Sequence, residues 1–324
     1  MTPAVSVLVP VYNVSAYIER CAHSLFGQTF SDIEFIFVND CTPDNSVEKL
    51  QHIIAQYPDR NVKIIHHEKN RGLAAARNTG VDNATGKYIQ HIDSDDWIEP
   101  DMIEQMYNKA EAEQADIVVC DFVFEQKNET ILQKEIVNHP RKTPFELMLE
   151  NEEIGGWVFS KLIKSELCKM PECRSMEGLN YQEDRYVSTK IFYYARNFVK
   201  IDKAFYHYDR TNQNSITATC REYHIEQRIL FWDLIDQFME KNNIRKTYSS
   251  TIECSKTKSK IYFFLSTQSH YLRKKYACLY RDFEMKYISQ FPFGAKLMLL
   301  FTHYKMYLLA HWVQKIIWWK NNKI

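Results

Sequence analysis

Three features of the 324-residue sequence predict an α/β fold: a mostly parallel sheet flanked by helices, followed by a helical C-terminal region. Through the first 124 residues, short β-branched apolar runs alternate with helix-spaced patterns. Strands separated by helices need crossover connections, which favour parallel pairing. Polar clusters stand directly after several of the runs, where open α/β sheets bind their ligands. From Glu222 onward the apolar spacing is helical throughout.

The elements follow in order. Val5–Val11 (VSVLVPV) predicts the first strand, and Ser15 is the expected cap of a helix carrying Ile18, Cys21, Leu25 and Phe26 on one face. Glu34–Asp40 predicts the second strand. Asp44 is the expected cap of a helix presenting Val47, Leu50, Ile53, Ile54 and Tyr57. Val62–His67, Lys87–Ile92 and Ile117–Phe124 read as strands, and Leu73–Asn83 and Pro100–Glu113 as helices. Beyond residue 125 the signals thin. A strand is expected at Thr130–Val137, a helix at Pro144–Glu150, a Gly155-Gly156 break before Trp157–Ile163, a helix at Tyr181–Tyr194 and a strand at Phe198–Tyr208. Helices are then expected over roughly 222–241, 247–270, 273–289 and 295–319.

Composition excludes several classes. Apolar residues are 45% and charged residues 25%, as in globular proteins and unlike disordered, collagenous or coiled-coil chains. The net charge of zero hides an asymmetry: −9 over residues 1–120, −4 over 121–240 and +13 over 241–324. The eight cysteines are scattered without a CxxC pair or zinc spacing, so reduced thiols in a cytoplasmic protein are expected. The N-terminus lacks a basic region and cleavage motif, so no signal peptide is expected, and no run reaches the roughly 18 apolar residues that span a bilayer.

Five clusters carry chemistry. Asp93-Ser94-Asp95-Asp96 follows a strand, and three carboxylates in four residues repel one another unless a divalent cation intervenes. Hard oxygen donors suit Mg²⁺ or Mn²⁺; the alternative is an acidic turn capping the next helix. Val9-Pro10-Val11-Tyr12-Asn13 offers a ring that stacks on a nucleobase or packs on the next helix. Asn39-Asp40-Cys41-Thr42-Pro43-Asp44 is either a base or ribose acceptor or a capping turn. In Asn70–Gly80 (NRGLAAARNTG), Arg71 or Arg77 suits a diphosphate, while the alanines suit tight helix packing. Glu183-Asp184 at a helix start offers a general base or a favourable pairing with the helix dipole.

In the order VPVYN, VNDCTPDNS, NRGLAAARNTG, HIDSDDW, QEDR, these clusters together resemble glycosyltransferase family 2, the inverting transferases of GT-A fold. The resemblance covers residues 4 to about 125 closely. It continues weakly through Trp157–Lys164, Glu183-Asp184 and Tyr208–Thr217. It implies a nucleotide-sugar-binding half over 1–125, an acceptor-binding half with the base over 126–220, and a basic helical region over 221–324. By motif, Pro10 and Tyr12 hold and stack the base, Asp40 binds it (usually uracil), Arg71 lies near the nucleotide, and Asp93 contacts ribose and the metal region. Asp95 ligates Mg²⁺ or Mn²⁺, with Asp96 the alternative ligand, and Asp184 is the general base. The chain departs from the family pattern at Asn39-Asp40-Cys41-Thr42, where Asp-Asp-Gly-Ser is common, and at Val14, where an acid is common. The implied partners are a nucleotide-sugar donor, expected to be a UDP-sugar, and a glycan or lipid-linked acceptor of surface polysaccharide assembly. A silent nucleotide-sugar-binding protein and a nucleotidyltransferase are the rivals; the second lacks a glycine-rich phosphate loop here.

In the tail, Lys296, His303, His311 and Gln314 form a narrow polar stripe on an otherwise apolar pattern, with Lys305 opposite. Lys256, Lys258, Lys260, Arg273, Lys274 and Lys275 stand upstream, and Trp312, Trp318 and Trp319 lie in the last helix. This pattern predicts peripheral docking on an anionic membrane, at the inner face of the cell membrane; packing on the catalytic domain or on a second subunit is the alternative. No RNA-binding motif accompanies the charge, so no nucleic acid is expected.

Overall fold

The computed structural model describes residues 2–151, 153–212, 222–267 and 269–321, with side chains as far as residue 317. The chain forms two compact units, residues 1–215 and 216–324.

The first unit is built on one sheet in the order β3-β2-β1-β4-β8-β6-β9-β5, with β7 paired to β6. Its strands are β1 (Val5–Val11), β2 (Ile33–Asn39), β3 (Asn61–His66), β4 (Tyr88–His91), β5 (Trp97–Ile98), β6 (Ile117–Glu125), β7 (Thr130–Gln133), β8 (Lys161–Lys164) and β9 (Phe198–Asp209). The expected parallel sheet is present as β3-β2-β1-β4. The remainder is mixed: β8 enters antiparallel between β4 and β6, β6 and β9 are parallel, β5 pairs antiparallel with β9, and β7 pairs antiparallel with β6. Strands from before and after residue 125 therefore share a single sheet. The short β8 escaped hydropathy because it carries Lys161, which is fully buried. The Lys161 ammonium donates to the carbonyls of Gly155 (2.9 Å) and Trp157 (2.7 Å) and to Ser160 Oγ (3.0 Å), beside the equally buried Glu135. Those bonds replace the water the charge gives up.

Helices cover both faces, which is why β1 is apolar almost end to end. Val5, Val7, Val9 and Val11 pack with α1 (Ile18–Phe26), α2 (Ser46–Ile54) and α4 (Met102–Glu113). On the other face the Ala-rich α3 (Leu73–Asn83) lies so close that a methyl at Gly80 would come within 3.3 Å of Leu8. The remaining helices are α5 (Pro144–Glu150), α6 (Ser165–Lys169) and α7 (Glu183–Tyr194). Two expected caps differ. Ser15 does not cap α1, which starts after Tyr17; its amide instead donates to Asp44 Oδ2 at 2.8 Å. Asp44 still serves α2, accepting from the amide and hydroxyl of Ser46, but from a position before Asn45.

The second unit comprises α8 (Glu222–Lys241), α9 (Ser249–Ser266), α10 (His270–Lys275), a 3₁₀ turn at Glu284–Gln290, α11 (Phe293–His303) and α12 (Tyr307–Asn321). Two expected helices are broken. The stretch 273–289 is interrupted at Tyr280 (φ 59°), and 295–319 at Lys305 (φ 61°). At the second break Met306 N donates to Phe301 O (2.6 Å) and Lys305 N to Thr302 O (3.1 Å). This is a Schellman C-cap with lysine in the left-handed position that glycine usually takes, so no residue there signals a stop.

Packing also reverses the expected tail. Lys256, Lys260 and Arg273 are buried. Lys260 pairs with Glu284, which also meets His303 Nδ1 at 2.6 Å, and Lys256 pairs with Asp236. Arg273 donates to Thr267 O at 2.6 Å and meets Gln314 Oε1, and its Nη2 lies 2.8 Å from His311 Nδ1. His303, His311 and Gln314 of the polar stripe thus turn inward. The side chains of Trp318 and Trp319 lie outside the described residues.

One backbone contact offers a test. Glu34 Oε1 accepts from Ser6 Oγ (2.5 Å), Thr85 N (2.6 Å) and Gly86 N (3.1 Å), drawing the turn before β4 onto β1. A methyl on Gly86 would stand 2.6 Å from Ser6 N, a backbone atom that cannot yield. Gly86→Ala should therefore cost about 1–3 kcal/mol of stability. Gly80→Ala, which meets only the Leu8 side chain and gains helix propensity, should cost less. Denaturant midpoints compare the two, and a Gly86→Ala protein as stable as wild type would refute the contact.

Candidate active site

The carboxyl ends of β1, β2 and β4 deliver three loops to one edge of the sheet. Pro10 occupies β1 two residues beyond Leu8, the last residue paired with β4. Its missing N–H therefore breaks no ladder bond there. Tyr12 is exposed, and Asn13 takes a left-handed φ of 55°. The loop is fixed by Asn13 N donating to Thr42 Oγ1 (2.8 Å) and Val14 N to Ser46 Oγ (3.1 Å). Burial opposes ionisation of Asp44, but hydrogen bonds from Ser46, Thr42 and the Ser15 amide outweigh it. They hold the Asp44 carboxyl well below the usual range.

Asp40 is buried at the end of β2. Its Oδ1 accepts from Arg71 N (2.8 Å) and lies 2.7 Å from His67 Nδ1; its Oδ2 accepts from Gly72 N (2.7 Å). His67 Nε2 in turn lies 2.8 Å from Thr79 Oγ1. A carboxylate has about four acceptor positions, so Asp40 holds the β3–α3 loop with three and keeps one on Oδ2. The Arg71 side chain is partly exposed and pairs with Glu177 at 2.7 Å.

Arg77, on the buried face of α3, is the hub. Its guanidinium donates to Asp93 Oδ1 (2.8 Å), lies 3.4 Å from Glu183 Oε1 and pairs with Asp184 Oδ1. The acidic turn after β4 and the start of α7 thus meet on one cation. Burial raises the Glu183 carboxyl to about 7, against the pull of Arg77. Burial, followed by the Arg77 charge, pushes the neighbouring His91 down to about 3, so it is neutral.

The acidic turn divides by environment. Asp96 is fully buried, with Oδ2 accepting from Tyr206 OH (2.5 Å) and Oδ1 from Asp209 N (2.7 Å). Asp93 and Asp95 remain partly exposed. Asp95 Oδ2 accepts from Asn212 Nδ2 at 2.9 Å, and its carbonyl accepts from Arg20 Nη2 at 2.7 Å. Burial and then the Asp93 charge raise the Asp95 carboxyl to about 6. Arg20 also pairs with Asp209 Oδ2 (2.6 Å) and lies 3.8 Å over the Trp97 ring, which stacks on His207 at 4.9 Å. Sequence reasoning missed Arg20, His67, Tyr206, Asp209 and Asn212. Only the segment that starts at Tyr208 hinted at Asp209 and Asn212, and its part from residue 213 to 217 lies outside the described residues.

The residues of this edge that would hold a divalent cation are Asp93 and Asp95. Asp93 and Asp95 supply hard oxygens on the solvent side of the turn, and their mutual repulsion is what a cation would relieve. Among the described residues no three His, Cys, Asp or Glu side chains converge as a cage. Such an ion would therefore complete its shell with waters and substrate oxygens, as Mg²⁺ commonly does.

Comparison with known proteins agrees with this architecture. Residues 6–168 match the family described as Glycosyl transferase family 2. EpsH of Bacillus subtilis (strain 168), which carries glycosyltransferase in its name, is 32% identical over 259 residues, 78% of this chain and 74% of EpsH. The crystal structure of Staphylococcus aureus TarS 1-349 in complex with UDP-GlcNAc superposes with a TM-score of 0.63 at 16% identity, over 96% of this chain and 90% of that one. The mannosyltransferase PcManGT from Pyrobaculum calidifontis, in complex with GDP-Man and Mn²⁺, gives 0.51 at 17% identity, over 97% and 85%. These structural likenesses bear out the mixed α/β fold of GT-A type.

The raised Glu183 carboxyl has a measurable consequence. Folding lifts it from 4.5 to about 7. The stability it contributes is full below 4.5 and is lost as pH rises through about 7, on the order of 3 kcal/mol at most. Glu183→Gln cannot ionise, so its unfolding free energy relative to wild type should rise over that window. Urea unfolding at a series of pH values checks this; parallel profiles for the two proteins would count against the buried, proton-holding Glu183.

Proposed function

The chain belongs to glycosyltransferase family 2, and on that premise we propose that it moves a sugar from a nucleoside-diphosphate donor, a UDP-sugar, to a hydroxyl of a glycan or lipid-linked acceptor with inversion at the anomeric carbon. The observation that carries the reading is the Arg77 hub, where the turn after β4 and the Glu183-Asp184 pair meet at the carboxyl ends of the parallel strands. That is the edge where such sheets take nucleotides. The UDP-GlcNAc complex of TarS supports a uridine donor.

In this reading Tyr12 and Pro10 form a platform for the base, and the remaining acceptor position of Asp40 Oδ2 receives its N–H. Arg71, at the mouth of the same loop, faces the nucleotide. Asp93 and Asp95 would hold Mg²⁺ or Mn²⁺, a use supported by the Mn²⁺ complex of PcManGT. When bound, the ion offsets charge on the leaving diphosphate. Asp96, committed to Tyr206 and the Asp209 amide, anchors the turn instead. Asp184, more exposed than Glu183 in the Arg77 pairs, takes the proton of the acceptor hydroxyl. The acceptor oxygen bonds to the anomeric carbon as the bond from that carbon to the diphosphate oxygen breaks, and the electron pair leaves with the diphosphate. Arg77 orients Asp184 and keeps a positive charge beside the carboxylates, as electrostatic preorganisation requires.

Two outcomes are expected. Asp184→Asn should lower kcat by about 10²–10⁴-fold while leaving UDP affinity nearly unchanged. Release of nucleoside diphosphate from a panel of donors, together with calorimetric UDP titration, measures both; normal turnover in Asp184→Asn with a dead Glu183→Gln would move the base by one residue. UDP should also bind more weakly in excess chelator than with Mn²⁺, and Asp95→Asn should erase that difference. Asp96→Asn should instead lower the melting temperature. Equal UDP affinity with and without chelator would eliminate the cation.

A further inference from the structure

The outward face of α12 has the wrong polarity for a surface helix of a water-soluble unit. Gln314 is buried and His311 half-buried, both turned toward Arg273. Leu308 (74% exposed), Leu309, Trp312 (63%) and Ile316 (54%) face solvent. Their spacing of i, i+1, i+4 and i+8 makes one continuous stripe along the helix. The preceding turn adds exposed Tyr304 and Met306. Scattered exposed apolar residues need no explanation, but a contiguous stripe of this kind does.

The charges around the stripe select its occupant. Lys305 and Lys315 are exposed at its borders, and the Lys315 ammonium lies 5.7 Å over the Trp312 ring. From residue 285 to the C-terminus the chain carries six lysines and no Asp or Glu. A second copy docking face to face would bring these lysines together with no carboxylate of that stretch to pair them, since a two-fold contact is self-complementary. An anionic lipid surface presents the opposite charge over an apolar interior, where indole and leucine side chains enter the headgroup boundary and lysines stay in the wet layer.

We propose that the Leu308–Ile316 face of α12 docks peripherally on anionic bilayers. The basis differs from the sequence expectation: Lys256, Lys260 and Arg273 are spent inside the fold, and the exposed hydrophobic stripe with its bordering lysines makes the contact. No described helix is long and apolar enough to cross a membrane, so the contact lies in the interface plane. This inference does not depend on the transferase reading.

Co-sedimentation of the full chain with phosphatidylcholine vesicles, with and without phosphatidylglycerol, tests it. Wild type should sediment with the anionic vesicles, and raising salt should release part of the bound fraction. The double variant Leu308→Ser/Trp312→Ser should stay in the supernatant with an unchanged melting temperature, because both side chains are already in water. Lys305→Gln and Lys315→Gln should each lower partitioning about fivefold on anionic vesicles only. Failure of wild type to sediment, equal sedimentation of the double variant, or a dimer in analytical ultracentrifugation that the double variant abolishes while vesicles have no effect would each overturn the proposal. The last result would assign the face to a second copy.

Discussion

A single buried guanidinium holds the candidate active edge of the first unit together. Arg77 comes from a helix beneath the sheet edge, Asp93 from a strand end, and Glu183 and Asp184 from a helix start about ninety residues later. A buried cation must be paired or it destabilises its surroundings by several kcal/mol. Here three carboxylates meet it, so the acidic turn, α3 and α7 are mutually dependent. The same charge helps to keep His91 neutral. In the same acidic turn, two side chains of identical chemistry end in different environments: Asp95 keeps a partly exposed face and Asp96 is a fully buried acceptor, and burial raises the proton affinity of both.

Around that ion, the loops are held by side chains that anchor backbone. Asp40 grips the amides of Arg71 and Gly72, and Asp44 grips those of Ser15 and Ser46. Left-handed backbone occurs at Asn13, Cys41, Gly72 and Gln182, all flanking the edge. For the residues with a Cβ this conformation costs roughly 1–2 kcal/mol each. Such positions persist where surrounding bonds over-determine them, as is common at functional sites. The result is a preorganised rim, fixed by bonds that do not require a ligand.

The second unit follows a different logic. Its interior contains buried charges, Lys260 with Glu284 and Arg273 with Gln314 and His311, in places where hydropathy would put leucine. Buried ionic groups of this kind contribute little net stability but penalise alternative packings. One effect is to fix the rotation of α12. With its polar stripe committed to Arg273, its apolar stripe must face out.

Much of the first unit was legible in the sequence because its signals are local. Alternating apolar runs gave the strands, alanine density gave α3, and polar clusters after strands gave the loops of the site. The break at Lys305 was not legible, because lysine carries no turn signal; a Schellman cap is a matter of backbone bonds. Strand β8 was not legible either, because its lysine is buried beside the sequence-distant Glu135 and solvated by the carbonyls of Gly155 and Trp157. The sequence by itself therefore determined the fold class, the family resemblance and the residue types at the candidate active edge. Tertiary structure alone decided that Arg77 rather than Arg71 is the buried hub, that Asp96 is an anchor, and which face of α12 meets solvent. Each of these depends on desolvation and on partners distant along the chain, such as Arg77 and Glu183 at a separation of 106 residues, and neither quantity is written in a local pattern.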